Sequence, residues 1–404
     1  MSRNFHLLWT SQIMSQITVN MMNFILLARL FETTGSTIAT SLLWVSYALP
    51  SIFFGPIGAG IVDLVSRRKT LIITNLLQAL VIFVFIFSHQ YSIFLLFAVV
   101  MAYSFLNQFY VPAEIASLPS LVIKNKLARA NSLFFLTQQL SLIIGFGFAG
   151  IIEKFLGFEG SLILCSILLL IAGISVYFLP NMNSTKKLPA NMEDLMKTFF
   201  NHIIEGYRFI KDRKTILYPL SLLFIIQVGL AIIITNLPTI GKEILDVSIA
   251  YVGLLIVVPA GIGTAIGSII VNKLMGSELI KNKWRKKKII DISLSILGFS
   301  VFGLILGNLF IAPLLVILVG IGFVGVNIPT LTFLQEVTPV GLRGRVFGNL
   351  WFMITIATIF PIIFSGVISE FFGVKTLLTI MSIGVILILS FSLNKGQKLI
   401  EENF

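Results

Sequence analysis

Twelve stretches of about 20 residues, apolar nearly throughout, alternate with polar connections along this chain, and a helix of that length is what crosses a bilayer core. They run approximately over 6–31, 38–62, 70–88, 92–112, 131–153, 160–180, 215–236, 249–272, 289–307, 310–333, 346–369 and 375–394. The pattern predicts an all-α integral membrane protein of twelve transmembrane helices, with short connections making sequential helices antiparallel neighbours. The longest interruption divides the spans six and six. It predicts an N-terminal six-helix bundle over 1–180, a linker over 181–214 and a C-terminal six-helix bundle over 215–404. In the linker Met192, Leu195, Met196, Phe199, Phe200, Ile203, Ile204 and Tyr207 recur at helical spacing between charged residues, predicting an amphipathic helix at the inner membrane face.

Composition agrees: 57% of the 404 residues are hydrophobic and 11% charged, far more apolar than a soluble core requires. The lone cysteine, Cys165, excludes an internal disulfide and a cysteine metal cluster. His6, His89 and His202 lie at or beyond span ends, so histidine chemistry is not expected there. The spans offer no convergent acids, histidines or metal ligands of the kind an enzyme needs. The expectation is a non-enzyme with no cofactor and no metal. The net charge of +12 does not call for nucleic acid, because the cations sort by side. With the N-terminus inside, 25 Lys and Arg face the cytoplasm and only Arg29, Lys154, Lys242 and Lys375 face out, placing both termini in the cytoplasm of a multi-pass protein of the cell inner (plasma) membrane. The start, Met1 to Trp9, lacks a small-residue cleavage site and reads as retained first-helix sequence.

The run Gly55 to Lys69 closes the second span with small residues, then places Asp63 and three cations at the membrane edge. Small residues let helices approach closely in lipid. A carboxylate there needs a partner, either across the molecule or locally in Arg67. The halves echo each other: Pro50, Gly58 and Asp63 have counterparts in Pro259, Gly267 and Asn272, with offsets of 8 and 13 residues from the proline in both. Pro112 is expected to end the fourth span as Pro329 nears the end of the tenth.

These residues resemble the major facilitator superfamily, and within it the macrolide-efflux-like drug exporters. The family's loop Gly-x-Leu-Ala-Asp-Arg-x-Gly-Arg-Arg is met here by Ala59, Ile61, Val62, Asp63, Leu64, Ser66, Arg67 and Arg68, with both glycines and the first arginine replaced. Closer to the branch are Trp9, Gln12 to Gln16, Thr34-Gly35-Ser36, Pro112-Ala113, Pro119-Ser120-Leu121-Val122, Ala130-Asn131-Ser132 and Leu342 to Phe347. The antiporter Gly-Pro pair of the fifth span is absent, with Phe146 at the proline position. The resemblance implies two pseudo-symmetric bundles and alternating access. It also implies a latch in which Asp63, with Arg67 and Arg68, meets the start of the eleventh helix near Val346, where Arg343 and Arg345 stand.

It further implies a cavity lined by the first, fourth, seventh and tenth helices, with the fifth and eleventh beside them. Candidate lining residues are Gln16, Asn20, Asn107, Gln108, Gln138, Gln227, Asn327, Asn349 and Trp351. Amides in an otherwise apolar cavity orient a bulky amphiphile without burying charge. As interhelical glue each would be worth roughly 0.6 kcal/mol. No carboxylate is expected deep in a span, so any proton dependence should come from Asp63, Asp291 or Glu32. The reading is a monomeric secondary transporter in the lipid bilayer that exports small hydrophobic organic compounds or drugs, with protons as the candidate coupling ion of an antiporter. A lysophospholipid or metabolite carrier on the same fold is the alternative.

Overall fold

The computed structural model describes residues 2–62, 65–123, 126–182, 214–275, 283–338 and 343–401. The linker helix read from 192–207 lies outside them. The helices are α1 (Arg3–Thr34), α2 (Thr37–Val62), α3 (Arg67–Ser88), α4 (Phe94–Leu121), α5 (Leu127–Tyr177), α6 (Lys214–Thr235) and α7 (Leu237–Glu243). Then come α8 (Ile249–Val252), a π turn (Gly253–Val257), α9 (Val258–Leu274), α10 (Lys283–Leu304), α11 (Ala312–Val337), α12 (Arg343–Phe372) and α13 (Val374–Glu401).

Every expected span falls on a helix. The fifth and sixth share α5, whose backbone leaves helical geometry at Gly157 (φ 73, ψ 172), a conformation that only glycine adopts without strain. The eighth runs through α8, the π turn and α9. Pro259 has no N–H to give and its ring crowds the carbonyl four residues back, so the ladder widens just before it. Among the described residues ten helices are long and apolar enough to cross a membrane. The shortfall from twelve comes from α5, which carries two spans, and from α10, which opens on Trp284, Arg285 and four lysines.

Two ends are set locally. Ser2 Oγ accepts the Phe5 N–H at 3.2 Å to cap α1, and Gly35 closes it at φ +65 with its N–H on the Phe31 carbonyl, 2.8 Å away.

The chain forms two compact units, one of residues 1–35 and 42–199, the other of 36–41 and 200–404. In the first, α1 packs along α5 and touches α4, while α3 packs on α4 and α5. Phe24, Ile25, Leu26 and Leu27, four consecutive residues of α1, are all fully buried, so α1 is enclosed on every side. At one end of this unit Phe5, Leu8, Leu71, Tyr110 and Phe134 make a core. In the second unit α9 lies against α11, and α10 packs on α11 and α13 around Leu222, Leu294, Leu297 and Val326. Large apolar side chains left exposed, such as Phe53, Phe87, Phe94 and Phe310, suit contact with lipid.

Candidate functional site

In the first unit the middle of the bundle is aromatic and amide. Trp44 of α2 stacks on Phe146 of α5 with ring centroids 6.3 Å apart and meets Tyr47 edge-on at 6.1 Å, while Phe24 of α1 meets Phe146 edge-on at 5.8 Å. Such pairs add roughly 0.5–1.5 kcal/mol each beyond the area they bury, which fixes the rings. The position where antiporters carry proline is therefore a ring anchor here. Its neighbour Gly145 lets α1 and α5 touch: a Cβ there would fall 2.4 Å from Asn20 Cβ. Asn107 of α4 donates to the Tyr47 hydroxyl at 3.5 Å, and Ser104 to the Tyr47 carbonyl at 2.6 Å. Trp44 Nε1 is a buried donor without a partner.

The expected cavity residues divide by unit. Gln16, Asn20, Asn107 and Gln108 are half-buried in the first unit, where the amides of Asn20 and Gln108 donate to Gln16 and Ser104 carbonyls on their own helices at 2.9 and 3.0 Å. Asn20 and Asn107 thus border the ring cluster through Gly145 and Tyr47. Gln138 is exposed on α5. Gln12, buried, ties α1 to α5 by donating to the Phe134 carbonyl at 3.1 Å, which is a glue role. Gln227 on α6 and Asn327 on α11 are half-buried in the second unit. Asn349 and Trp351 lie on α12.

At the basic end of the first unit Arg67 donates to the Ala116 carbonyl at 2.8 Å and to Ser120 Oγ at 3.1 Å. Arg68 donates to the Tyr177 carbonyl and, at 2.8 Å, to Asn181 Oδ1. Both arginines tie α3 to other helices of their own unit. Asp63 lies outside the described residues. Arg343 and Arg345 fall inside the first turn of α12, which begins at Arg343 and so starts a turn before the expected Val346.

One expectation is overturned. Pro112 does not end the fourth helix: α4 runs through Pro112 and Pro119 to Leu121. Membrane helices tolerate an internal proline because neighbouring groups satisfy the freed carbonyls. The extension carries Glu114 into the bundle, where it is only 4% exposed and accepts a hydrogen bond from Tyr110 Oη at 2.8 Å. A carboxyl is therefore buried within a span after all. Tyr103, Asn107, Tyr110, Glu114 and Ser117 recur at steps of four and three, one face of α4, and that spacing was the available signal. The other acids are differently placed. Glu32 is exposed. Asp291 pairs with Lys287 at 2.7 Å and accepts from Ser392 at 2.5 Å, with Ser392 2.6 Å from the Tyr218 hydroxyl, tying α6, α10 and α13 together.

The model of the Major Facilitator Superfamily matches residues 8–361. The chain belongs to that superfamily. Among relatives in the major facilitator group, the uncharacterized MFS-type transporter YfmI of Bacillus subtilis (strain 168) is 25% identical over 96% of this chain and 95% of its own length. Macrolide efflux protein A of Streptococcus pyogenes is 24% identical over 92% of this chain and 90% of its own. Two solved transporters share the major facilitator fold. The nucleoside transporter NupG superposes with TM-score 0.73 at 15% identity, over 96% of this chain and 98% of its own. A bacterial homologue of the human lysosomal transporter Spinster, inward-facing and unoccupied, superposes with TM-score 0.78 at 12% identity, over 100% of this chain and 98% of its own.

Proposed function

We propose that this membrane transporter exports hydrophobic organic compounds by alternating access, from a plasma membrane in which both of its termini face the cytoplasm. The observation that carries the reading is the ring and amide surface of the first unit. Trp44 and Tyr47, half-buried and braced by the buried Phe146, offer flat apolar faces, and Asn107 and Asn20 offer directional polar groups without net charge. A neutral apolar surface with a few placed amides favours an amphiphile over an ion or a strongly hydrated solute. The similarity to macrolide efflux protein A along nearly the full length of both chains supports the same direction.

A susceptibility panel in an efflux-deficient bacterium, with macrolides among the compounds, tests it. Expression should raise resistance to at least one hydrophobic class, and Trp44→Ala should reduce that gain with membrane levels unchanged. Unchanged susceptibility across the panel, with inward flux of lysophospholipid into oriented vesicles, would replace export by lipid import.

A further inference from the structure

Glu114 is not an isolated buried acid. Its Oε1 accepts from the Tyr110 hydroxyl at 2.8 Å, that hydroxyl lies 3.3 Å from Ser11 Oγ on α1, and Ser11 Oγ accepts from Asn75 Nδ2 on α3, also at 3.3 Å. Ser15, one turn along α1 from Ser11, stands beside the hydroxyls of both Tyr110 and Tyr103, and Tyr103 neighbours Tyr47 of the ring and amide surface. All of these groups except Tyr47 are essentially fully buried. One turn further along α3, Gln78 is completely buried with neither of its amide atoms paired, and Asn75 Oδ1 is likewise unpaired. Three helices thus turn their polar groups to one line inside the first unit. Buried, partly satisfied polar networks weaken a fold and are retained where they serve a purpose.

Among the described residues no charged group pairs with Glu114. On the elements packed against α4, Arg3 and His6 of α1, Lys69 of α3 and Arg129 of α5 are exposed, and α2 brings no charged side chain among its described residues. Arg67 is engaged with Ala116 and Ser120, and Arg68 with Tyr177 and Asn181. Among the described residues Glu114 has no cationic partner, so its charge depends on whether it holds a proton.

We infer that Glu114 is the proton-binding site of the transport cycle, loaded and unloaded along the hydroxyls of Tyr110, Ser11 and Ser15. A proton handed in at Ser15 moves one hydroxyl at a time, each giving up its own proton as it receives another. It ends as the O–H of the Glu114 carboxylic acid, and the hydroxyls are restored. The Ser11–Tyr110 bond can point either way, as such a relay requires. The same steps in reverse release the proton at Ser15. The inference rests on the export reading for its direction, since proton entry would then drive substrate out.

Two measurements separate the inference from that reading. In purified protein, infrared difference spectra across a pH step should show a carboxylic C=O band that disappears in Glu114→Gln. In proteoliposomes with radiolabelled erythromycin as the probe, Glu114→Gln should lose accumulation driven by a pH gradient yet keep equilibrium exchange. Glu114→Asp should restore part of the accumulation, and Tyr110→Phe should slow it. Exchange surviving in Glu114→Gln shows that this variant is folded. No Glu114-dependent band, or wild-type accumulation in Glu114→Gln, overturns the proton site. A Glu114 band in a protein that carries no erythromycin upholds the site and counts against the export reading alone.

Discussion

Asp63 follows the end of α2, and its counterpart in the second half, Asn272, is exposed at the end of α9. An amide in place of the acid cannot neutralise a cation or complement the positive end of a helix, an effect worth about 0.3–2 kcal/mol at a helix start. Arg343 and Arg345 sit inside the first turn of α12, where cations are unfavourable unless an anion offsets them. The carboxylate latch that the family resemblance implies for Asp63 is a proposal, and a pair of variants tests it. Asp63→Asn should leave expression intact and slow export severely, whereas Asn272→Ala should do much less. Efflux rates normalised to membrane-inserted protein check this, and equal rates in the two variants would dismiss the latch. At this scale the sequence did not reveal Glu114, because its proline neighbour suggested that the helix had already ended.

Helix contacts show which part of the repeat is structural. A Cβ on Gly58 of α2 would lie 2.2 Å from the Gln108 carbonyl oxygen of α4, and one on Gly267 of α9 would lie 2.9 Å from Ile321 Cα of α11. The pair of glycines matched by sequence therefore performs the same task in each unit, pressing two backbones together. Gly263 repeats the contact one turn away, 2.1 Å from the Ile317 carbonyl oxygen. Since the obstacle is backbone, Gly58→Ala and Gly263→Ala should each destabilise by about 1–3 kcal/mol or more. Gly384 of α13 has nothing within 4 Å, so Gly384→Ala should be neutral or stabilise by up to about 1 kcal/mol. Thermal unfolding of the purified variants in detergent distinguishes them, and equal melting temperatures for all three would refute the close contacts. A further contact joins α2 to α12. Glu370 accepts from Ser36 Oγ at 2.5 Å and from the Ile38 N–H at 2.9 Å, capping the first turn of α2, and Thr37 donates to the Gly366 carbonyl at 2.7 Å. The sequence did not point to Glu370 and showed Ser36 only as part of Thr34-Gly35-Ser36, because a cap joining residues 334 positions apart has no local pattern.

For the molecule as a whole the cation count makes the sharpest prediction. With Cys165 replaced, a cysteine at Lys197 should be labelled only from the cytoplasm and one at Lys242 only from outside. Labelling of both from one side would reject the assigned orientation and the division into six and six. Cys165 is itself buried, so its removal gives a clean background rather than a change of topology.

The sequence by itself determined the helices, their class and the family, down to the glycines shared by α2 and α9. A bilayer makes these local quantities: each span must satisfy its own backbone, so length and apolarity declare it, and the sign of the flanking charge declares its direction. Only the tertiary structure decided which polar side chains meet. Ser11 and Tyr110 are 99 residues apart, and Asn75 and Ser11 are 64 apart. Whether they share a line depends on the rotation of each helix and on the persistence of α4 beyond Pro112. Packing sets that rotation through close contacts such as Gly145 on α1 and Gly58 on α4, and nothing in one helix's own sequence can state what the facing helix will bring.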